Sequence, residues 1–211
     1  MTAGQKKAYE TLWPKFGLDP QQKLATIHAP FAKETPVVLE IGFGMGDSLA
    51  QQAANQPQNH YIGIEVHRPG VGHLLSLIAK HELNNMRIYC ADAVEVLKHC
   101  IPDNSLDTVQ IFFPDPWPKK RHHKRRLVQT PIVNLIASKV KPGGTLHLAT
   151  DWENYAEHML EVLSRCPALA NTCTNAPFVE RPSSRPLTKF ESRGNRLGHG
   201  VWDLVFRKKL S

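Results

Sequence analysis

The chain has 211 residues, 41% of them hydrophobic and 8% aromatic, enough to bury one core without disulfides or a structural metal. No apolar run approaches the ~18 residues that a membrane span needs, and the polar opening Met1 to Lys7 leads into no signal-peptide core; a soluble, cytoplasmic, single-domain protein is expected, with 1–35 as its N-terminal segment. The formal charge of +7 disfavours an acidic surface and favours a polyanionic partner.

Val37 to Ile41 is a β-branched run ending in Gly42-Phe43-Gly44-Met45-Gly46, and Asp47 to Asn55 follows as a helix. Tyr61 to Glu65 repeats the strand signal, and between Pro69 and Glu82 the residues Val71, Leu74, Leu75 and Ile78 recur at helical spacing. Arg87 to Cys90 is a third strand before a helix over Ala93 to His99. Thr108 to Phe113 is a fourth, nearly all apolar as befits a strand covered on both faces.

Thr130 is read as the N-cap of a helix to Val140 with Pro131 at its first position, stopped by Lys141-Pro142-Gly143-Gly144 before the strand Thr145 to Ala149. Asn154 to Arg165 is the last helix and Val201 to Phe206 the last strand. Repeated βα units predict a Rossmann-like, doubly wound α/β sheet. Pro177 to Gly200, rich in Pro, Arg, Gly and Ser, is expected to be a long surface loop. Cys90, Cys100, Cys166 and Cys173 form no C-x-x-C pair and read as reduced thiols.

Ligands of open α/β sheets bind at the carboxyl ends of the strands, and here four successive strand ends carry a carboxylate: Glu40, Glu65, Asp92 and Asp115. Gly42 and Gly44 allow close approach of the backbone to a ligand. The dinucleotide fingerprint wants a third glycine where Asp47 stands, and a carboxylate there repels a pyrophosphate. Glu40-x-Gly42-x-Gly44-x-Gly46 instead resembles the first motif of class I S-adenosylmethionine methyltransferases. Glu65 suits the ribose hydroxyls of an adenosine; Asp92 suits the adenine amine by that resemblance, or simply a helix N-cap.

Phe112-Phe113-Pro114-Asp115-Pro116-Trp117-Pro118-Lys119-Lys120 is a loop stiffened by three prolines. Together with Ala149-Thr150-Asp151-Trp152-Glu153 and Thr188-Lys189-Phe190-Glu191 it closely resembles the bacterial tRNA (guanine-N7)-methyltransferases over essentially the whole chain. The resemblance implies the class I fold, a mostly parallel seven-stranded sheet with helices on both faces, and S-adenosyl-L-methionine as cofactor. It implies transfer to N7 of a guanine in the tRNA variable loop. Cofactor contacts then fall to Glu40, Gly42, Gly44, Glu65, Asp92 and Asp115, with Asp115 also catalytic; substrate contacts fall to Lys119, Asp151, Thr188, Lys189, Phe190 and Glu191.

N7 carries a lone pair and no proton, so positioning should dominate over base catalysis. A carboxylate can accept from guanine N1–H and the N2 amine, and Asp115, Asp151 and Glu191 are all open to that role. Trp117 either stacks on the target base or wedges against the sheet.

The run Arg121, His122, His123, Lys124, Arg125 and Arg126 is read as phosphate-contacting, the alternative being a solvated loop. Its histidines lack the further ligands of a zinc site, so no metal is expected. Arg181, Arg185, Lys189, Arg193 and Arg196 make the late loop a second basic clamp, or a solvated loop that orders with substrate. Many relatives carry a longer basic leader, so a shortened N-terminus is expected, and with it reduced RNA affinity. A monomer without an obligatory protein partner is expected. An amino-methyltransferase, an NAD oxidoreductase and a non-catalytic RNA-binding protein are the rival readings. They are disfavoured respectively by the inward polar residue of Pro114-Asp115-Pro116-Trp117, by Asp47, and by the full acidic set with Lys119.

Overall fold

A computed structural model describes residues 1–31, 34–187, 191 and 200–210. In chain order its elements are α1 (Ala3–Phe16), β1 (Val37–Ile41), α2 (Asp47–Asn55), β2 (His60–Ile64), α3 (Arg68–Lys80), β3 (Met86–Tyr89), α4 (Ala93–His99) and β4 (Leu106–Phe112). A 3-10 helix (Lys120–Arg125) precedes α5 (Thr130–Lys139), β5 (Val140–Thr150), α6 (Glu153–Ser164), β6 (Leu169–Asn171) and β7 (Trp202–Lys208).

The seven strands form one sheet in the order β3-β2-β1-β4-β5-β7-β6. Strands β1 to β5 pair in parallel, since helical crossovers separate them, and β7 pairs antiparallel with β5 and with β6. Sequence order reverses at β1 and β4, and that switch point opens a crevice at the strands' carboxyl ends. The doubly wound sheet is the one the βα units predict, and its seven mostly parallel strands are those the family resemblance implies.

Alternation along each strand sends side chains to two cores. Leu39, Ile41, Val109, Ile111 and Leu148 pack with Val96, Leu97, Ile136, Met159 and Leu163 of α4, α5 and α6. Val38, Tyr61 and Ile88 pack on the other face with Phe16, Leu49, Leu74, Leu75 and Ile78 of α1, α2 and α3. Each fully buried leucine contributes roughly 1.5–3 kcal/mol. Glu40 shares a strand face with Val38 and so enters the second core, where a carboxylate has no packing reason to be.

Three expectations are corrected, and one element that was not predicted is added. The N-cap of α5 is Gln129, with Thr130 already helical and no side-chain cap bond, because Pro131 occupies the second helical position. Strand β5 starts at Val140, which pairs with Leu106 before the register shifts around Gly143 and Gly144. The polar N-terminus forms α1, closed by a capping box between Thr2 and Gln5, and it lies against α3 where a Cβ on Gly72 would sit 2.8 Å from the Gln5 carbonyl. The late segment is not simply a surface loop: Val179 bridges Asp203 of β7, and Arg185 is fully buried.

Candidate functional site

The turn after β1 opens the crevice. Gly42 and Gly44 have φ of 75° and 59°, and a Cβ on either would meet nothing within 4 Å, so both backbones face open space. Gly46 serves packing instead, since a Cβ there would lie 2.9 Å from Leu74. At the start of α3, a Cβ on Gly70 would stand 2.0 Å from the Gly44 carbonyl, so only glycine lets this helix come so close to the turn.

Glu65, just after β2, clasps that turn. Its Oε2 accepts from Gly44 N–H at 2.9 Å, and its Oε1 accepts from Val66 and His67 N–H at 2.8 and 2.9 Å. Three donors on a carboxylate with about four acceptor sites fix its plane and leave roughly one site for a ligand.

Glu40 is 3% exposed, and its Oε2 has no hydrogen-bond partner among the described residues. Burial pushes its carboxyl up to about 8. It lies between Gly63 of β2 and Gln110 of β4 in the strand register. An orphaned buried acid beside a glycine turn that faces open space suits a cationic, phosphate-free ligand. Asp92 is the N-cap of α4, its Oδ1 accepting from Val94 and Glu95 N–H at 2.8 and 3.2 Å. The local role read for it is present, and that cap uses only one of its oxygens.

The proline-rich loop leaves β4 through Phe113, whose φ of 51° is left-handed, and Trp117 at 44° is left-handed as well. Two such residues cost about 1–3 kcal/mol each and persist only where the surroundings impose them. Phe113 N–H donates to the Ala149 carbonyl at 2.8 Å, binding the loop's root to β5. Asp115 is exposed on this loop. Asp151, also exposed, follows β5; the pairing of Phe112 with Ala149 puts both carboxylates just beyond one point of the sheet. Trp117 has the Arg125 guanidinium 5.0 Å from its ring centre and the His122 ring edge-on at 5.9 Å, so its ring packs with the 3-10 helix. Trp152, to which its motif assigns no role, is 41% exposed beside Asp151.

The basic run forms the 3-10 helix, capped by Lys119. Lys119, Arg121, Lys124 and Arg125 are exposed, and His122 and His123 are half-buried. Arg126 is a correction: it is 2% exposed and cannot present its charge to a phosphate. Its Nε donates to the Pro116 carbonyl at 2.8 Å and its Nη2 to Asn154 Oδ1 at 2.9 Å, with His123 Nε2 at 3.1 Å. The guanidinium also lies 4.7 Å from the Tyr155 ring centre, so it clamps the proline loop to α6.

Thr188, Lys189 and Phe190, together with Arg193 and Arg196, lie outside the described residues. Glu191 is brought to Arg185, at 4% exposure and with both oxygens accepting from its guanidinium, so the direct base contact expected of it is not what this arrangement presents. Arg185 likewise belongs to the interior rather than to a basic clamp. The sequence signal for that interior pairing was Asp203, a lone carboxylate in the otherwise apolar run Val201 to Phe206.

A family model described as "Putative methyltransferase" matches residues 34–204. The tRNA (guanine-N(7)-)-methyltransferase of Alcanivorax borkumensis is 58% identical over 209 residues, 99% of this chain and 87% of that protein. The enzyme of that name from Yersinia enterocolitica is 56% identical over the same shares. Among solved structures, the 16S rRNA methyltransferase KamB superposes with a TM-score of 0.62 at 14% identity, covering 85% of this chain and 90% of that one. The [4+2]-cyclase SpnF reaches 0.58 at 15% identity, covering 99% and 97%. The fold therefore carries more than one chemistry, and the reaction has to be read from the site.

Proposed function

The chain belongs to the tRNA (guanine-N(7)-)-methyltransferases, and from that membership we propose how its own residues carry methyl transfer from S-adenosyl-L-methionine to N7 of a tRNA guanine. Bound at the strand ends, S-adenosylmethionine supplies an electrophilic methyl group on a sulfonium.

Glu40 holds the cationic methionine end, which gives its orphaned Oε2 a partner. Glu65, braced by three amides, takes a ribose hydroxyl with its remaining acceptor site. Asp92 keeps capping α4 with Oδ1 and reaches the adenine amine with its other oxygen. Gly42 and Gly44 leave the open space that the ligand needs.

Asp115 accepts from N1–H and the N2 amine of guanine, keeping electron density on the ring as positive charge develops during attack by N7. No proton leaves N7, so Asp115 orients the base and does not deprotonate it. Asp151 and Lys119 flank the base from β5 and from the N-terminal end of the 3-10 helix, and the motif residues Thr188, Lys189 and Phe190 contribute further substrate contacts. Arg121, Lys124 and Arg125, with His122 and His123, hold the tRNA backbone. The protein acts in the cytoplasm, where tRNA is its partner.

The observation that carries this reading is the bracing of Glu65 against Gly44, which fixes an adenosine-binding acid beside a glycine turn that has Asp47 where a pyrophosphate fingerprint has its third glycine. Thermal unfolding in the presence of S-adenosylhomocysteine or NAD tests it. The melting temperature should rise with the first and stay put with the second; the opposite pattern would return the site to the oxidoreductases.

A further inference from the structure

Arg185 makes four hydrogen bonds to two carboxylates. Its Nε and Nη2 donate to Oδ1 and Oδ2 of Asp203 on β7 at 2.7 and 2.8 Å, while Nη1 and Nη2 donate to Oε2 and Oε1 of Glu191 at 2.6 Å each. His147 Nε2 on β5 lies 2.7 Å from the same Asp203 Oδ1. The guanidinium also lies 5.8 and 5.5 Å from the ring centres of Phe112 and Phe113, and the Arg185 carbonyl accepts from Arg181 at 2.6 Å.

Two forks on one guanidinium fix its plane, and Lys could not reproduce either. Well-packed apolar residues would stabilise such a site at least as well as buried charges do. What the ions add is direction. They join the end of the Thr188-to-Glu191 motif to β7, and they set a rigid plate against the two residues from which the Asp115 loop departs. Phe113 is the left-handed one of the two, so its backbone decides where Pro114 and Asp115 go.

We propose that Arg185 is a positioning residue for methyl transfer, holding the late segment at Glu191 and the root of the Asp115 loop in one register against Asp203. It touches no reacting atom. Burial alone would raise the Asp203 carboxyl, but the bonds from His147 and Arg185 hold it below its ordinary range, as expected of an ionised hub. The proposal rests on Asp115 being the catalytic residue of this site.

The test measures single-turnover methylation at saturating tRNA and cofactor, alongside S-adenosylhomocysteine affinity and melting temperature, for the parent, Arg185→Lys, Glu191→Gln and the double variant. Arg185→Lys should slow turnover at least about tenfold, the scale of a misplaced reacting group, with cofactor affinity held within about threefold. If Arg185 and Glu191 act as one latch, the double variant should be no slower than the slower single variant. Multiplying losses would make Glu191 an independent substrate contact and overturn the latch, as would parental turnover in Arg185→Lys. Should Arg185→Lys fail to fold, Asp203→Asn carries the same expectation for turnover and cofactor affinity, and parental turnover there refutes the proposal. An active Asp115→Ala protein in the same assay would remove the catalytic assignment instead, which keeps the two failures distinct.

Discussion

Gly44 and Glu65, 21 residues apart, are joined by a 2.9 Å hydrogen bond from the glycine amide to Oε2 of the carboxylate. This bond ties the turn after β1 to the end of β2, so the acid and the open backbone proposed to serve one ligand are placed by a single contact. A preorganised acceptor of this kind needs little rearrangement when a ligand arrives.

Glu65→Gln tests that bracing. A glutamine amide can point only one oxygen at three N–H groups, so at least one amide loses its acceptor. S-adenosylhomocysteine should bind at least about tenfold more weakly, since a hydrogen bond to a charged group contributes roughly 1.5–3 kcal/mol, while the tRNA KM should hardly move. Equilibrium dialysis and steady-state kinetics read the two quantities, and unchanged cofactor affinity would remove Glu65 from the pocket.

The acid Glu40 gives the protein a pH signature. Its carboxyl lies at about 8 when folded, above the ordinary 4.5, so the folded state holds a proton that the unfolded chain has released between those values. The stabilisation is fully present below about 4.5 and is lost as pH rises through about 8. Urea unfolding at pH 5, 7 and 9 should show Glu40→Gln gaining on the parent as pH rises; a pH-independent difference would contradict the burial argument. Because a cationic ligand draws the carboxyl back down, cofactor binding near pH 7 should release protons, visible as a buffer-dependent binding enthalpy.

Arg126 and its exposed neighbours separate structure from RNA contact. Charge removal at Arg121, Lys124 and Arg125 should weaken tRNA binding and flatten its salt dependence, each lost phosphate contact lowering the slope by about 0.7–0.9. Arg126→Ala should leave that slope alone while reducing turnover and melting temperature, because the Pro116 carbonyl and Asn154 lose their donor. A flattened slope in Arg126→Ala would reinstate it as an RNA contact.

Much of this was legible in the sequence where chemistry repeats locally. Parallel strands covered on both faces read as apolar runs, and Gly42, Gly44, Glu65 and Asp92 stand directly after them. The three-residue β6 was too short to read, and the start of β5 was hidden by Pro142-Gly143-Gly144, which resembles a helix stop. Arg126 and Arg185 were misread for one physical reason. An arginine looks the same in sequence whether it faces solvent or pairs inside, and their partners Asn154 and Asp203 lie 28 and 18 residues away.

The most direct test of the central claim is nucleoside mass spectrometry of unmodified tRNA transcripts incubated with the protein and methyl-labelled S-adenosylmethionine, with Asp115→Ala as the paired sample. Label should appear in 7-methylguanosine and be absent with Asp115→Ala, whose exposed position lets the fold survive. Label in any other nucleoside, or undiminished 7-methylguanosine from the Asp115→Ala protein, would contradict the reaction or the residue assigned to it.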